Sequence, residues 1–290
     1  MTCSKEPGLK IQKYIQRIGN SLAGKPDLNL PEIRIRQPEI LVKNLVQMPE
    51  SAWWKYAFSR EPMNGRFDDS MRYELYEKAC ECGRNEADRI LKKYPKLSVK
   101  EIARQMGLNV LYPDIPQASS RILFADFAEP ATIRIYQDGL SKGHALMENP
   151  LIQSYFRTQM DHEKQDISDV RIEDILIAHE LYHVIEMKNQ KIWTQSYQIL
   201  LWKIGFIENR SPVAVLSEIA AMAFASRLNH LNFSAYMLDA FLVYGYSPKA
   251  ACALYDEMQD SFEADRMYKK NALKLSRAVL FYTRAVKNRR

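Results

Sequence analysis

Cysteine is scarce in this chain. Four residues among 290 (Cys3, Cys80, Cys82 and Cys252) cannot staple a fold of this size, and the Cys-Glu-Cys run at 80–82 has neither zinc-knuckle nor redox spacing, so the thiols read as reduced. Long apolar runs are missing as well: Glu218, Asp239 and similar residues interrupt every stretch that approaches the eighteen or so residues a membrane helix needs. The opening, MTCSKEPGLKIQKYIQR, lacks a charged-then-apolar signal pattern. Glycine is sparse at 10 residues, and neither a low-complexity tract nor an internal repeat is visible. What remains is an ordinary globular composition, 47% hydrophobic and 26% charged, long enough to bury a sizeable core as one large domain or two small ones. These absences predict a cytoplasmic protein with no membrane partner.

Acids are absent from one segment only. Nine of the 41 lysines and arginines fall between Arg266 and Arg290, where there is no Asp or Glu, so the net charge of +6 is concentrated there and the rest of the chain is slightly acidic. Ala264, Tyr268, Ala272, Leu275, Val279, Tyr282 and Val286 recur through that segment at helical spacing. A docked amphipathic helix with a solvated basic face is favoured over a surface for nucleic acid or another acidic partner.

The first sixty-odd residues hold a short helical pattern (Ile11, Tyr14, Ile18, Leu22), then prolines at 26, 31 and 38 that prevent one continuous helix. Pro62 and Asn64-Gly65 mark a turn, and a boundary is placed there. Residues 68–95 read as a long helix, with acids at its start and lysines before Tyr94-Pro95. Ser98 and Glu101 form a capping box, Gly107 suits a helix exit, and LNVLY then reads as a strand. SVKEIARQMGLNV also has the look of half a helix-turn-helix, but Pro113 and Pro116 would break the recognition helix, which favours a plain helix-to-strand connection. RILFADF and ATIRIYQ, separated by Glu129-Pro130, form the best hairpin candidate, and from Lys142 onward the pattern is almost wholly helical. The fold class expected is α+β, mostly helical with a small mixed or antiparallel sheet.

The chemistry concentrates in ILIAHELYHVIE, residues 175–186. Residues four apart on a helix share a face, so His179 and His183 can aim imidazole nitrogens at one ion. Glu180 lies about 100° round the helix on the His183 side, where its carboxylate reaches a water in the ion's open position rather than the ion. Zinc-assisted hydrolysis needs this division: ligands hold the metal, the metal lowers the pKa of water toward about 7, and a carboxylate removes the proton. Random placement of five histidines yields such a motif on the order of once per hundred chains. The bland alternative is a pair of hydrogen-bonded core histidines. A third ligand must come from elsewhere, because Glu186 sits roughly two turns from His179. Glu218 is the candidate: RSPVAVLSEIAAMAFASRL reads as a helix capped by Ser211 with Pro212 at its first position, and Glu218 is its only acid amid small and apolar residues. His230 and Tyr236 are weaker candidates for oxyanion stabilisation.

VKEIARQMGLNV, ATIRIYQD, AHELYH and EIAAMAFASRL, in that order over roughly residues 70–230, resemble the ImmA/IrrE family of zinc metallopeptidases. The family pattern is H-E-x-G-H followed by E-x-x-A-[ND]-x-F-A. His179, Glu180 and His183 match the first motif, and Glu218, Ala221, Phe224 and Ala225 the second. Two positions depart from it. Tyr182 replaces a glycine, so the helix needs more room behind it, and Met222 replaces the Asn or Asp that supports a ligand histidine. The 35 positions between His183 and Glu218 are long for the family, which makes residues 189–210 an expected inserted helix lining the site. The resemblance implies a zincin-like core in residues 67–240, between an N-terminal helical extension (1–66) and a C-terminal helical segment (241–290).

Two functions compete. The first is a zinc endopeptidase with His179, His183 and Glu218 as ligands, Glu180 as base and then acid, and a peptide lying extended near residues 131–137. The resemblance implies a cytoplasmic protein substrate, a helix-turn-helix repressor of a mobile element being the usual class. The alternative is a non-proteolytic transcriptional regulator or repressor-binding protein on the same scaffold, to which Met222 points.

Overall fold

The computed structural model describes residues 33–115, 122–157 and 171–287, with side chains as far as Lys270. The helical pattern of Ile11 to Leu22, Pro26, Pro31 and Cys3 lie outside the described residues. Eleven α-helices and five strands run in the order α1 (Pro38–Leu45), α2 (Trp54–Phe58), α3 (Asp69–Lys93), α4 (Val99–Gln105), β1 (Asn109–Leu111), β2 (Ala125–Ala128), β3 (Thr132–Ile135), α5 (Gln137–Met147) and α6 (Pro150–Arg157) among the described residues. They continue with α7 (Ile172–Lys188), α8 (Trp193–Ser196), β4 (Gln198–Ile204), β5 (Ile207–Pro212), α9 (Val215–Leu228), α10 (Met237–Tyr244) and α11 (Pro248–Lys287). Mostly helical with two small sheets, the chain is α+β as expected. Among the described residues no helix is long and apolar enough to cross a membrane, and Cys80, Cys82 and Cys252 are free thiols.

Local signals account for many boundaries. The Asp68 carboxylate accepts from the Met71 amide at 2.8 Å and caps α3, while Lys92 and Lys93 occupy its last turn. The Ser98–Glu101 capping box opens α4, and Gly107 leaves it at φ +79°. The next element is the strand β1, not a recognition helix. The three-stranded sheet has the order β1-β3-β2, with β1 parallel and β2 antiparallel to β3. The expected β2–β3 hairpin is present, its turn carrying a cis Glu129–Pro130 peptide. Because β3 is the middle strand, both its edges are already paired, so the extended peptide expected across residues 131–137 has no backbone groups to meet there. The outer edge of β2 has no strand partner among the described residues.

Residues 189–212 correct the sequence reading twice. The segment expected as an inserted helix is one short turn, α8, followed by the antiparallel hairpin β4–β5. Gly205, at φ +60°, takes the first place of a two-residue turn between Ile204 and Ile207, the type II′ geometry that suits a twisted hairpin. Apolar β-branched and aromatic residues in QILLWKI fit a strand as well as a helix, and the turn decided it. Ser211 and Pro212 therefore belong to β5 and not to a helix start. The amide of Val215 is instead received by Oε2 of buried Glu61 at 3.1 Å, so a carboxylate from the N-terminal segment sits at the positive end of α9.

One buried cluster takes side chains from all three sequence segments: Trp53 and Tyr56, then Ala178 and Phe224, then Cys252 and Met258. The Trp53 ring stacks on Tyr236 at 5.8 Å, and Trp54 Nε1 donates to Asp265 Oδ1 on α11 at 2.8 Å. Tyr268 of the basic helix packs edge-on to Trp54 at 5.5 Å, which docks the start of the segment whose later side chains are not described.

The helices that matter for the site are α3, α7 and α9. α7 is buried on most faces, lying between α9, the sheet and α4. α9 buries four alanines (Ala220, Ala221, Ala223, Ala225) among larger apolar side chains and lies against both α3 and α7. At Gly83 of α3 the approach is closest: a Cβ there would stand 2.1 Å from the Ala220 carbonyl oxygen and 3.0 Å from the Phe224 amide. Both obstacles are backbone and cannot swing aside. Gly83→Ala is expected to cost about 3 kcal/mol of stability, read as a lower midpoint in denaturant unfolding; an unchanged midpoint would disprove the contact.

Candidate metal centre

α7 sets His179 and His183 one turn apart on the face toward α9, and α9 brings Glu218 opposite them. The Nε2 atoms of the two histidines are 3.1 Å apart. Glu218 Oε2 is 3.4 Å from His179 Nε2, and its Oε1 is 3.6 Å from His183 Nε2. Two imidazole nitrogens this close, both turned to one carboxylate, repel unless a proton or a cation lies among them. A tetrahedral zinc at about 2.0–2.2 Å from each donor separates its ligands by about 3.3–3.6 Å. The histidine separation and the two distances to the Glu218 carboxylate, each to a different oxygen, lie at or near that range, and the donor set of two imidazoles and one carboxylate suits zinc. The residues singled out from the sequence as ligands are therefore brought together, all three ligand atoms lying within 4.8 Å of one another.

Electrostatics divide the acids of the site. Burial would lower the His179 imidazole pKa, but the hydrogen bond and charge of Glu218 outweigh it and leave the value above the ordinary 6.5. Burial pushes the Glu218 carboxyl up, yet His179 and then the His183 charge pull it down to about 2. Its side chain is 54% exposed, so solvent screens the pair and the shift is no measure of stabilisation. Glu180 goes the other way: burial raises it, and the two histidines only partly offset this. With 8% exposure and no hydrogen-bond partner among the described residues, Glu180 has its carboxylate free for a reacting group.

His179, Glu180 and Glu218 form one wall of a cavity of about 220 Å³. Phe124 and Ala125, at the start of edge strand β2, form another. Leu176, Met222, Leu238 and Leu242 make the remaining surface apolar, with Asp239 among them. Tyr56 donates to Asp239 Oδ2 at 2.8 Å, and burial holds that carboxyl above its usual range. A larger groove of about 530 Å³ lies between α3 and the segment that links α7 to α8, lined by Lys78, Cys82, Arg89, Asn189 and Trp193. Among the described residues the one group of side chains spaced to hold a metal ion lines the smaller cavity, through His179 and Glu218, and not this groove.

Sequence reasoning missed how His183 is held. Met222 lines the cavity and gives no polar support. Ser217, one residue before Glu218, places its hydroxyl 3.2 Å from His183 Nδ1 and donates to Glu186 Oε2. Glu186 is 3% exposed and also receives Thr194 Oγ1. Burial would raise its pKa, but the His183 imidazole 3.8 Å away and the hydrogen bonds from Ser217 and Thr194 hold it below the ordinary carboxylate range. The i, i+3 spacing from His183 to Glu186 was a usable signal that measuring from His179 obscured. Tyr182 finds its room between α9 and α8: its ring packs on Phe224 at 5.6 Å and its hydroxyl meets Thr194 Oγ1 at 2.9 Å. Asp239 entered the sequence reading only as a charge interrupting an apolar run. Tyr236 is buried against Trp53, and neither it nor His230 lines the cavity.

Zinc needs neutral imidazoles. Since the folded-state pKa of His179 is raised, its proton persists at pH values where a free histidine has lost it, and a bound ion must displace it. Zinc affinity is therefore expected to fall as pH drops into and below the range just above about 6.5, with proton release on binding near neutrality. Titration calorimetry in two buffers of different ionisation enthalpy measures the release; pH-independent affinity would contradict the coupling. No known family, curated protein or solved structure matches this chain.

Proposed function

We propose that the protein is a zinc-dependent endopeptidase of the ImmA/IrrE kind, with a zincin-like core. The observation that carries the reading is the meeting of two imidazole nitrogens, 3.1 Å apart, with one carboxylate from a second helix, whose Oε2 lies 3.4 Å from His179 and whose Oε1 lies 3.6 Å from His183. His179, His183 and Glu218 would hold the ion. Zinc there supplies Lewis-acid chemistry, lowering the pKa of water toward about 7 and polarising a carbonyl.

The chain's own groups do the rest. Glu180 faces the same cavity with an unpartnered carboxylate and a raised pKa, which suits a base that takes a proton from water and then delivers it to the leaving amine. An extended peptide can add to the edge of β2 that has no strand partner among the described residues, which begins where Phe124 and Ala125 line the cavity. A side chain next to the cut bond would then enter the apolar pocket of Leu176, Met222 and Leu242. This geometry supports a protein substrate, and a helix-turn-helix repressor is the class the motif resemblance implies.

Glu180→Gln separates metal binding from proton transfer. The variant is expected to retain one zinc per chain and to cut a mixed-sequence peptide library about 10²–10⁴-fold more slowly, with products read by mass spectrometry. Equal cleavage by both proteins would remove Glu180 from the reaction. A zinc-free wild type that cuts nothing would favour the non-proteolytic regulator.

A further inference from the structure

Beyond the three ligands, a line of hydroxyl groups behind α7 converges on one buried carboxylate. Thr194 Oγ1 donates to Glu186 Oε1, and Ser217 Oγ donates to Glu186 Oε2. A carboxylate only accepts, and each hydroxyl owns a single hydrogen. Both hydroxyls have therefore spent their proton on Glu186, and any further partner must donate to them.

That restriction sets the directions further out. On one side, the Tyr182 hydroxyl, 2.9 Å from Thr194 Oγ1, must be the donor of that contact, and its own oxygen is left to accept from the Cys82 thiol at 3.7 Å. On the other side, His183 Nδ1 stands 3.2 Å from Ser217 Oγ and must carry the hydrogen. An imidazole with hydrogen on Nδ1 has its free lone pair on Nε2. That is the atom facing His179 and Glu218.

We infer that Glu186, acting through Ser217 and supported by Thr194, is a positioning residue that fixes His183 as the Nδ1–H tautomer and so presents its Nε2 lone pair for metal binding. The inference rests on the metal-centre reading of the triad. It assigns α8 a purpose: the residues between α7 and the hairpin deliver Thr194 to the second oxygen of Glu186, so that the carboxylate cannot rotate away from Ser217. It also explains how the site tolerates methionine at 222. The histidine is supported from the residue adjoining the third ligand, and the amide or carboxylate of the motif is not needed there.

The test uses the full-length, metal-free chain labelled with ¹⁵N-histidine, at about pH 8.5, where a free imidazole is neutral. The ring nitrogen shifts of His183 are expected to report hydrogen on Nδ1 in the wild type. Ser217→Ala should move His183 toward the Nε2–H form and leave His179 unchanged, while Ser217→Thr, which keeps the hydroxyl, should restore the wild-type pattern. Zinc affinity should fall about 10–100-fold in Ser217→Ala, and in the same direction in Thr194→Val. Hydrogen on Nε2 of wild-type His183, or a Ser217→Ala variant with unchanged tautomer and zinc affinity, would overturn the assignment. Because the tautomer is read without metal, a chain that takes up no zinc would sink the peptidase reading and still leave the relay decided by the spectrum.

Discussion

The backbone of α9 lies against α3 at a distance only glycine permits. Gly83 removes the one Cβ that would strike the Ala220 carbonyl, and α9 also lies against α7. Close-packed interiors do not deform continuously, so this contact sets where α9 sits along and around its axis. Glu218 rides on that helix. The short separations among Glu218, His179 and His183 therefore depend on where the backbone of α9 sits relative to α7.

Four carboxyl groups cluster near the imidazoles, and their surroundings give them different affinities for a proton. Glu218 is half exposed and drawn down by two histidines, which keeps it anionic and fit to be a ligand. Glu180 is buried without a donor and pushed up, which favours taking and giving a proton. Glu186 is buried as deeply but supplied with hydroxyl donors, so it stays a fixed anion behind His183. Asp239, with one donor from Tyr56, lines the cavity. Desolvation acts on all four, and the number of donors around each decides the outcome.

Much of the scaffold was legible in the sequence. The caps of α3 and α4, the exit at Gly107 and the β2–β3 pair arise from local chemistry that needs no partner. The metal candidates were legible too, because two histidines four apart and a lone acid on an apolar helix are constrained by periodicity and by the cost of burying charge. The hairpin at 198–212 was not, since QILLWKI satisfies strand and helix alike until Gly205 turns the chain. The start of α9 was misplaced for a related reason. Ser211 looked like a cap, but the carboxylate that receives the Val215 amide belongs to Glu61, more than 150 positions away.

Residue types and spacing determined that His179 and His183 share one helix face with an acid beside them, because helical geometry is a local property. Only the tertiary structure decided which strand lies at the sheet edge beside the cavity, without a strand partner among the described residues, and which groups stand behind His183. Strand order and hydroxyl convergence depend on contacts between segments far apart in the chain, and no local pattern encodes them. For that reason β2 in place of β3, and Ser217 with Glu186 in place of residue 222, came from the fold.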